Sequence, residues 1–297
     1  MLVYQASAMA PTPILDHIVI LVPHEILTNL PSWLTDAFTV LNGGRHADGV
    51  TENKLVLFQD GVYLEIIAFV PGQEEGRERH RWGRRSEGHI VDWANTLYSE
   101  GDLETIRSRV GAAKTGITYT SPTSGGRIRP DGTELKWIIS SPILDEGKGG
   151  FIGGEAPFWC LDRTPRDLRV PYHVGGNTKH ASGAVGVHRV TISVRDEGLF
   201  QTLKGTYNAL QGQEGTRVGV DGDEAKFSWP LRTLESVRGE NSPGELVLVK
   251  IDPGYFPDGS GPVSVRLTLV SSTGNGYLAG HLGDGNWPIR FELVGST

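Results

Sequence analysis

Apolar positions along this chain fall into short runs, most with period two or no period, while two stretches carry helical spacing. The opening run, LDHIVILVP (Leu15 to Pro23), is apolar on both faces, rich in β-branched residues and ended by a proline. It predicts a strand covered on both sides. PHEILTNLPSWLTDAF follows, short and at most helical, with Pro31 interrupting it. Two more apolar runs, in NKLVLFQDGVYLEIIAFV, flank Asp60-Gly61 and predict a hairpin.

This order of strand, helix and further strands recurs. In a second unit, from about His89 to Pro171, HIVDWANTL predicts a strand, and Leu103, Ile106 and Val110 mark one helical stripe. RIRPDGTELKWIISSP, with a turn at Asp131-Gly132, and APFWCLD supply its later strands. In a third unit VHRVTISV resembles the opening strand, and Phe200, Leu203, Tyr207 and Leu210 mark the second helix. EAKFSWPL, ELVLVKIDP, VSVRLTLVSS and WPIRFELV follow as strands. A repeated supersecondary unit constrains the fold more than any single motif does. The polar segment Pro71 to Gly88 reads as an exposed loop, either a solvated linker or a functional flap.

Composition narrows the class. The chain has 297 residues, 38% hydrophobic and 21% charged, as in ordinary globular proteins. A net charge of -7 argues against a general nucleic-acid binder, although RERHRWGRR (Arg77 to Arg85) is a local basic patch. A lone cysteine, Cys160, admits no intrachain disulfide and fits a reducing compartment. No run reaches the ~18 to 20 apolar residues of a membrane helix, and the N-terminus lacks a secretory signal pattern. The expectation is a cytoplasmic protein acting on a small molecule, with no nucleic-acid or membrane partner and a homodimer left open.

LDHIVILVP, GGRHADGVTENKLVLF and GVYLEIIAF, followed in order by DWANTL, RPDGTELKW and APFWCLDRTPRDLRVP, resemble the vicinal oxygen chelate superfamily, and within it the glyoxalase-like domain proteins. The resemblance covers roughly Leu15 to Val194. It implies an α+β fold of repeated βαβββ modules, of the glyoxalase/bleomycin resistance/dihydroxybiphenyl dioxygenase type, whose curved sheets form a cleft. It divides the chain into a lead-in (1–14), a glyoxalase-like domain of two modules (15–171) and a third module (172–297) packing on the barrel or completing it.

In that plan the first strand of a module contributes a histidine, here His17, and the last a glutamate, here Glu65. The residues argue similarly by themselves. Glu65 sits in a run apolar on both faces, and a buried carboxylate requires a cation, a metal or strong donors. Imidazole with carboxylate suits Zn, Fe, Mn, Co or Ni. The plainer alternative is a hydrogen bond between the two, or a bond to an arginine. The superfamily's full four-ligand set is not evident. Trp93 stands where the second module's histidine would fall, and APFWCLD has no glutamate, only Cys160 and Asp162. His188, placed like His17 in its own unit, is the expected third ligand, and Glu292 is a late carboxylate candidate.

His46, after Gly43 and Gly44, is a candidate base, ligand or substrate contact, or else a surface turn histidine. Asn53 either caps that turn or faces the cleft to bind substrate. Trp93, Trp137 and Trp159 lie in predicted strands, where core packing competes with an apolar substrate wall; Trp93 and Trp137 are the wall candidates. The Arg77 to Arg85 loop could close over the cleft and neutralise an anionic substrate, or simply be solvated. The resulting expectation is a metal-dependent enzyme with lyase or isomerase-type chemistry on vicinal oxygens, with Glu65 and His46 catalytic. The alternatives are an extradiol-type Fe(II) dioxygenase and a metal-free binding protein.

Overall fold

The structure is a computed structural model that describes residues 10–129, 131–144, 150, 152–218, 225–237, 244–251, 261–283 and 288–296. The first half contains strands β1 (Ile14–Leu21), β2 (Leu41–Arg45), β3 (Thr51–Leu57), β4 (Tyr63–Phe69), β5 (His89–Thr96), β6 (Ile117–Tyr119), β7 (Thr123–Ile128), β8 (Glu134–Ser140), β9 (Pro142–Leu144) and β10 (Phe158–Asp162). Its helices are α1 (His24–Thr28), α2 (Ser32–Thr35), α3 (Glu74–Arg79), α4 (Gly101–Ala112) and α5 (Arg166–Arg169). Pro31 does divide α1 from α2, because a proline cannot donate the helical hydrogen bond.

Eight of these strands form one sheet in the order β2-β3-β4-β1-β5-β10-β8-β7. The order is symmetric about its centre. β1 runs parallel to β4 and antiparallel to β5, and β5 runs parallel to β10. Each side is one βαβββ module. The sheet curls until its two edges meet: His46 and Arg127 form an antiparallel bridge, and the Ala47 amide donates to the Gly126 carbonyl at 2.9 Å. This seam closes the sheet around a cavity and covers two otherwise open edges.

The parity of β1 settles which side chains enter that cavity. Leu15, Ile18 and Ile20 belong to the core on the convex face, while Val19 and Leu21 face the concave side. Between Leu15 and His17 the pairing with β5 shifts by one residue, so Asp16 is a bulge and His17 falls on the concave side. On β4, Leu64, Ile66 and Ala68 take the convex face, and Tyr63, Glu65 and Ile67 the concave one. A strand covered on both faces explains the continuous apolar runs.

The C-terminal half repeats the arrangement with β11 (Ala184–Val194), α6 (Glu197–Gln211), β12 (Thr216–Arg217), β13 (Lys226–Leu231), β14 (Gly244–Lys250), β15 (Val263–Ser271), β16 (Gly276–Gly280) and β17 (Ile289–Gly295). These strands form a sheet in the order β12-β13-β14-β11-β15-β17-β16. β11 pairs parallel with β14 and antiparallel with β15, matching β1 with β4 and β5. A tight turn at 272–275 replaces the helix after β15, so this half holds a complete module and a shortened one. Its apolar face joins the convex face of the first sheet in a common core, with Trp93 edge-on to Tyr207 and Phe38 edge-on to Phe291. The hairpin at Asp60-Gly61 also links the halves. Asp60 accepts from the Val62 amide at 3.0 Å within its own turn and from the Val187 amide of β11 at 2.7 Å. Among the described residues no helix is long and apolar enough to cross a membrane.

Two features position the cavity walls. α5 inserts two arginines beneath the bulge of β1. Arg169 donates to both Asp16 oxygens (3.1 and 3.0 Å), to Asp162 and to the Tyr63 hydroxyl, while Arg166 joins Asp16 to Asp162. Burial would raise the Asp16 pKa, but Arg166 and Arg169 hold it well below the usual carboxylate range. The Pro71 to Gly88 segment, in turn, contributes to the cavity wall rather than being only a solvated linker. After α3 it sends Arg81 and the buried Trp82 inward, and Trp82 Nε1 donates to the buried Asp92 of β5 at 2.8 Å. His80 accepts the Trp82 amide at 3.2 Å, and burial pushes its pKa down to about 4.

Asp16→Ala strips a buried pair of guanidinium groups of its main counter-ion and is expected to cost about 3 to 5 kcal/mol in urea unfolding. Glu104→Ala, which removes a partner of Arg107 on the surface, should cost less than about 1 kcal/mol. The two ionisations act in separate pH windows. His80 has a folded pKa below its ordinary 6.5, so the stability it contributes is complete above 6.5 and is lost as pH falls toward about 4. Asp16, depressed below 3.8, contributes stability that disappears only at still lower pH. Unfolding midpoints measured from pH 8 to pH 4 should therefore decline, and His80→Gln should remove at most about 3 kcal/mol of that decline.

Candidate functional site

The cavity has a volume of about 700 Å³, and its apolar wall includes Leu55, Tyr63, Leu135, Trp137, Ile139 and Phe158. At its base lies Glu65, 5% exposed. His17 Nε2 stands 3.6 Å from Glu65 Oε2, and His46 Nε2 stands 3.6 Å from Oε1. The Asn53 amide nitrogen donates to Oε1 at 2.5 Å and lies 3.5 Å from His46 Nε2. Burial would raise the Glu65 pKa, but the two imidazoles, Asn53 and Arg127 together bring it below the usual value. Burial lowers the His46 pKa more than Glu65 raises it, so this imidazole is neutral at pH 7.

Each histidine is held at its other nitrogen. His17 Nδ1 donates to Asp16 at 2.5 Å, and its ring stacks on Tyr63 with centroids 4.6 Å apart. His46 Nδ1 bonds Thr51 Oγ1 at 2.7 Å. Both Nε2 atoms are thereby turned toward Glu65. Asn53 is placed by a close approach of backbone: a Cβ on Gly43 would lie 1.8 Å from Asn53 Oδ1, so a larger residue there would push the Asn53 amide aside. Asn53 Oδ1 accepts from Arg127 Nη1 at 3.2 Å, which orients the amide with its nitrogen toward Glu65.

The structure thus brings together His17, Glu65, His46 and Asn53 and lines the same cavity with Trp137. It does not bring in two other candidates. Trp93 lies on the convex face of β5, and its Nε1 donates to the Gly154 carbonyl in the common core, so it is no substrate wall. The small Ala94 takes the concave position beside it. His188 belongs to β11 in the second sheet and is absent from the cavity wall, which removes it as a third ligand. Glu292, also in the second sheet, accepts from Thr268. Trp159 is core, Cys160 lines the cavity, and Asp162 pairs with the α5 arginines.

Several site residues were not singled out from sequence: Asp16, Tyr63, Arg127 and Arg169. One signal was present for the last of these, since Arg166 and Arg169 in TPRDLRVP are three apart and share a face of one helical turn.

The donor atoms can be tested against a divalent metal. Asp16, His17 and Cys160 have ligand atoms all within 4.8 Å of one another. That trio fits poorly. Both Asp16 oxygens are occupied by guanidinium groups, and burial pushes the Cys160 thiol far up, keeping it neutral. His17 Nε2 with Glu65 Oε2 fits better, since both are aimed at one corner and the carboxylate is ionised. In the facing module Ala94, Phe158 and Cys160 offer no charged ligand, so among the described residues a four-ligand site is not built.

The glyoxalase-like domain family matches residues 15–211. No curated protein matches the chain. Among solved structures, a hypothetical protein from Staphylococcus aureus superposes with a TM-score of 0.62 at 11% identity, covering 95% of this chain and 100% of that one. BphC, a halotolerant catechol dioxygenase, has a TM-score of 0.46 at 9% identity, covering 96% and 87%. Glyoxalase I from Zea mays has a TM-score of 0.32 at 11% identity, covering 95% and 92%. The paired βαβββ modules, the curved sheet and the match over most of its length place this chain in the glyoxalase-like domain family of the vicinal oxygen chelate superfamily.

Proposed function

We propose that the chain is a small-molecule enzyme that works in the closed cavity of its first sheet with a divalent metal on His17 Nε2 and Glu65. One observation carries this reading. Glu65 is buried and ionised, yet among the described residues its charged or chargeable neighbours at ion-pair distance are only two imidazoles, each aimed by a bond at its far nitrogen. A buried anion with such neighbours is the environment of a cation site. A bound divalent ion would supply Lewis acidity, polarising adjacent substrate oxygens.

The chain's own groups take the other roles. Asp16 holds His17 at Nδ1 and so turns Nε2 toward Glu65 and the cavity. His46, neutral with Nε2 toward the cavity, accepts a proton from substrate there. Trp82 and Arg81 line the cavity from the Pro71 to Gly88 segment and add aromatic and cationic surface to it. Such a set would serve isomerase or lyase-type chemistry on vicinal oxygens. That Ala94, Phe158 and Cys160, none of them a charged ligand, take the cavity-side positions of β5 and β10 favours a second reading, a metal-free binding protein using the same cavity.

Protein purified without an affinity tag and reconstituted with Zn, Mn, Co, Ni or Fe(II) is expected to retain one of these metals stoichiometrically by elemental analysis. His17→Ala and Glu65→Gln should abolish retention, and Asp16→Asn should weaken it by ~10- to 100-fold through His17. Failure to take up any of the metals would leave the binding-protein reading. Retention unaltered in both ligand variants would place the metal elsewhere.

A further inference from the structure

The cavity contains a second charge that the metal reading does not use. Arg127 is 5% exposed and forms no ion pair among the described residues. Its contacts are Asn53 Oδ1 at 3.2 Å and the Arg169 carbonyl at 3.5 Å, both neutral and the second marginal. The Asn53 amide stands between Arg127 and Glu65, accepting from one and donating to the other. The amide thus keeps a buried cation and a buried anion from pairing. Each is left to be matched from the cavity.

Arg81 adds to the positive side. Its guanidinium lies 3.7 Å from the Phe158 ring centroid and 4.4 Å from that of Trp82, with Nη1 donating to Ser141 Oγ at 2.8 Å. Its acidic neighbour, Asp92, is 3.6 Å from Nε and is already bonded to Trp82. Both arginines line the cavity alongside Trp137, Phe158 and Leu135. A guanidinium fork beside aromatic surface matches a planar carboxylate on a flat apolar body.

The geometry points to an anionic substrate, a carboxylate on an aromatic or similarly flat apolar skeleton, with the carboxylate on Arg127 and the reacting oxygens toward His17 and Glu65. This deepens the enzyme reading and rests on it for the reacting end, whereas the carboxylate contact stands without a metal. The test uses benzoate and its uncharged analogue benzamide, titrated into chelator-treated protein and followed by quenching of tryptophan fluorescence. Benzoate should bind saturably and benzamide much more weakly.

Arg127→Met should weaken benzoate by roughly 10- to 100-fold, the range of a charge-assisted paired contact, and leave benzamide unaltered. Arg127→Lys should fall between the two, and Arg129→Met, outside the cavity, should match the parent protein. If Arg127→Met does not fold, Arg127→Lys and Arg81→Met carry the test, and each must weaken benzoate selectively. Benzoate binding no better than benzamide, or binding indifferent to Arg127, overturns the proposal. Arg127-dependent binding to protein that takes up no metal upholds the anion site while rejecting the metal.

Discussion

The site depends on the way Asp16 is held. A one-residue bulge in β1 places a carboxylate where a strand has room for an apolar side chain, and two arginines from α5 surround it. An isolated charge at that depth would be prohibitive, so the carboxylate, Arg166, Arg169 and Asp162 form a balanced group of two anions and two cations. The group spans β1, α5 and β10, and reaches β4 through the Tyr63 hydroxyl. It therefore fixes the strand that carries His17 against the strands that carry Glu65 and Cys160.

The seam between β2 and β7 imposes the second constraint. It brings His46 and Arg127 together from modules distant in sequence, and Gly43 gives Asn53 the space to reach between Arg127 and Glu65. Balanced charge at Asp16 makes a rigid support. Separated charge at Asn53 makes a receptive surface. Both arrangements sit within the same sheet, one behind His17 and one before it.

Much of the architecture was legible because its signals are local. Continuous apolar runs marked the strands covered on both faces, Asp60-Gly61 marked a hairpin, and the stripes at Leu103 and Phe200 marked helices. His17 and Glu65 were legible together because a module's first and last strands lie side by side, which pairs His17 with Tyr63, two residues before Glu65. Trp93 was not, since a bulge elsewhere in β5 resets which residues face inward, and strand parity counted from sequence cannot register it. Arg127 and His188 show the same limit at longer range. One joins the site through edge closure and the other is kept from it by belonging to a separate sheet, and neither relation has a local pattern. The Pro71 to Gly88 segment stayed open between linker and flap for a different reason: its charged composition dominates, while its inward turn rests on long-range bonds such as Trp82 to Asp92 and Arg81 to Ser141.

The carboxylate of Asp60 bears on how separable the molecule's parts are. It closes a hairpin in the first half and receives a backbone amide from the second, so the turn's geometry and the docking of the halves share one group. The convex faces likewise form a common core with no surface finished for solvent on either side. The first half is thus not a transplantable cassette. A chain cut near the join, or a recombinant swap of either half, would have to supply a matching apolar face and a matching amide. The C-terminal half, none of whose described residues lines the cavity of the first sheet, serves as the template on which the first half keeps its shape.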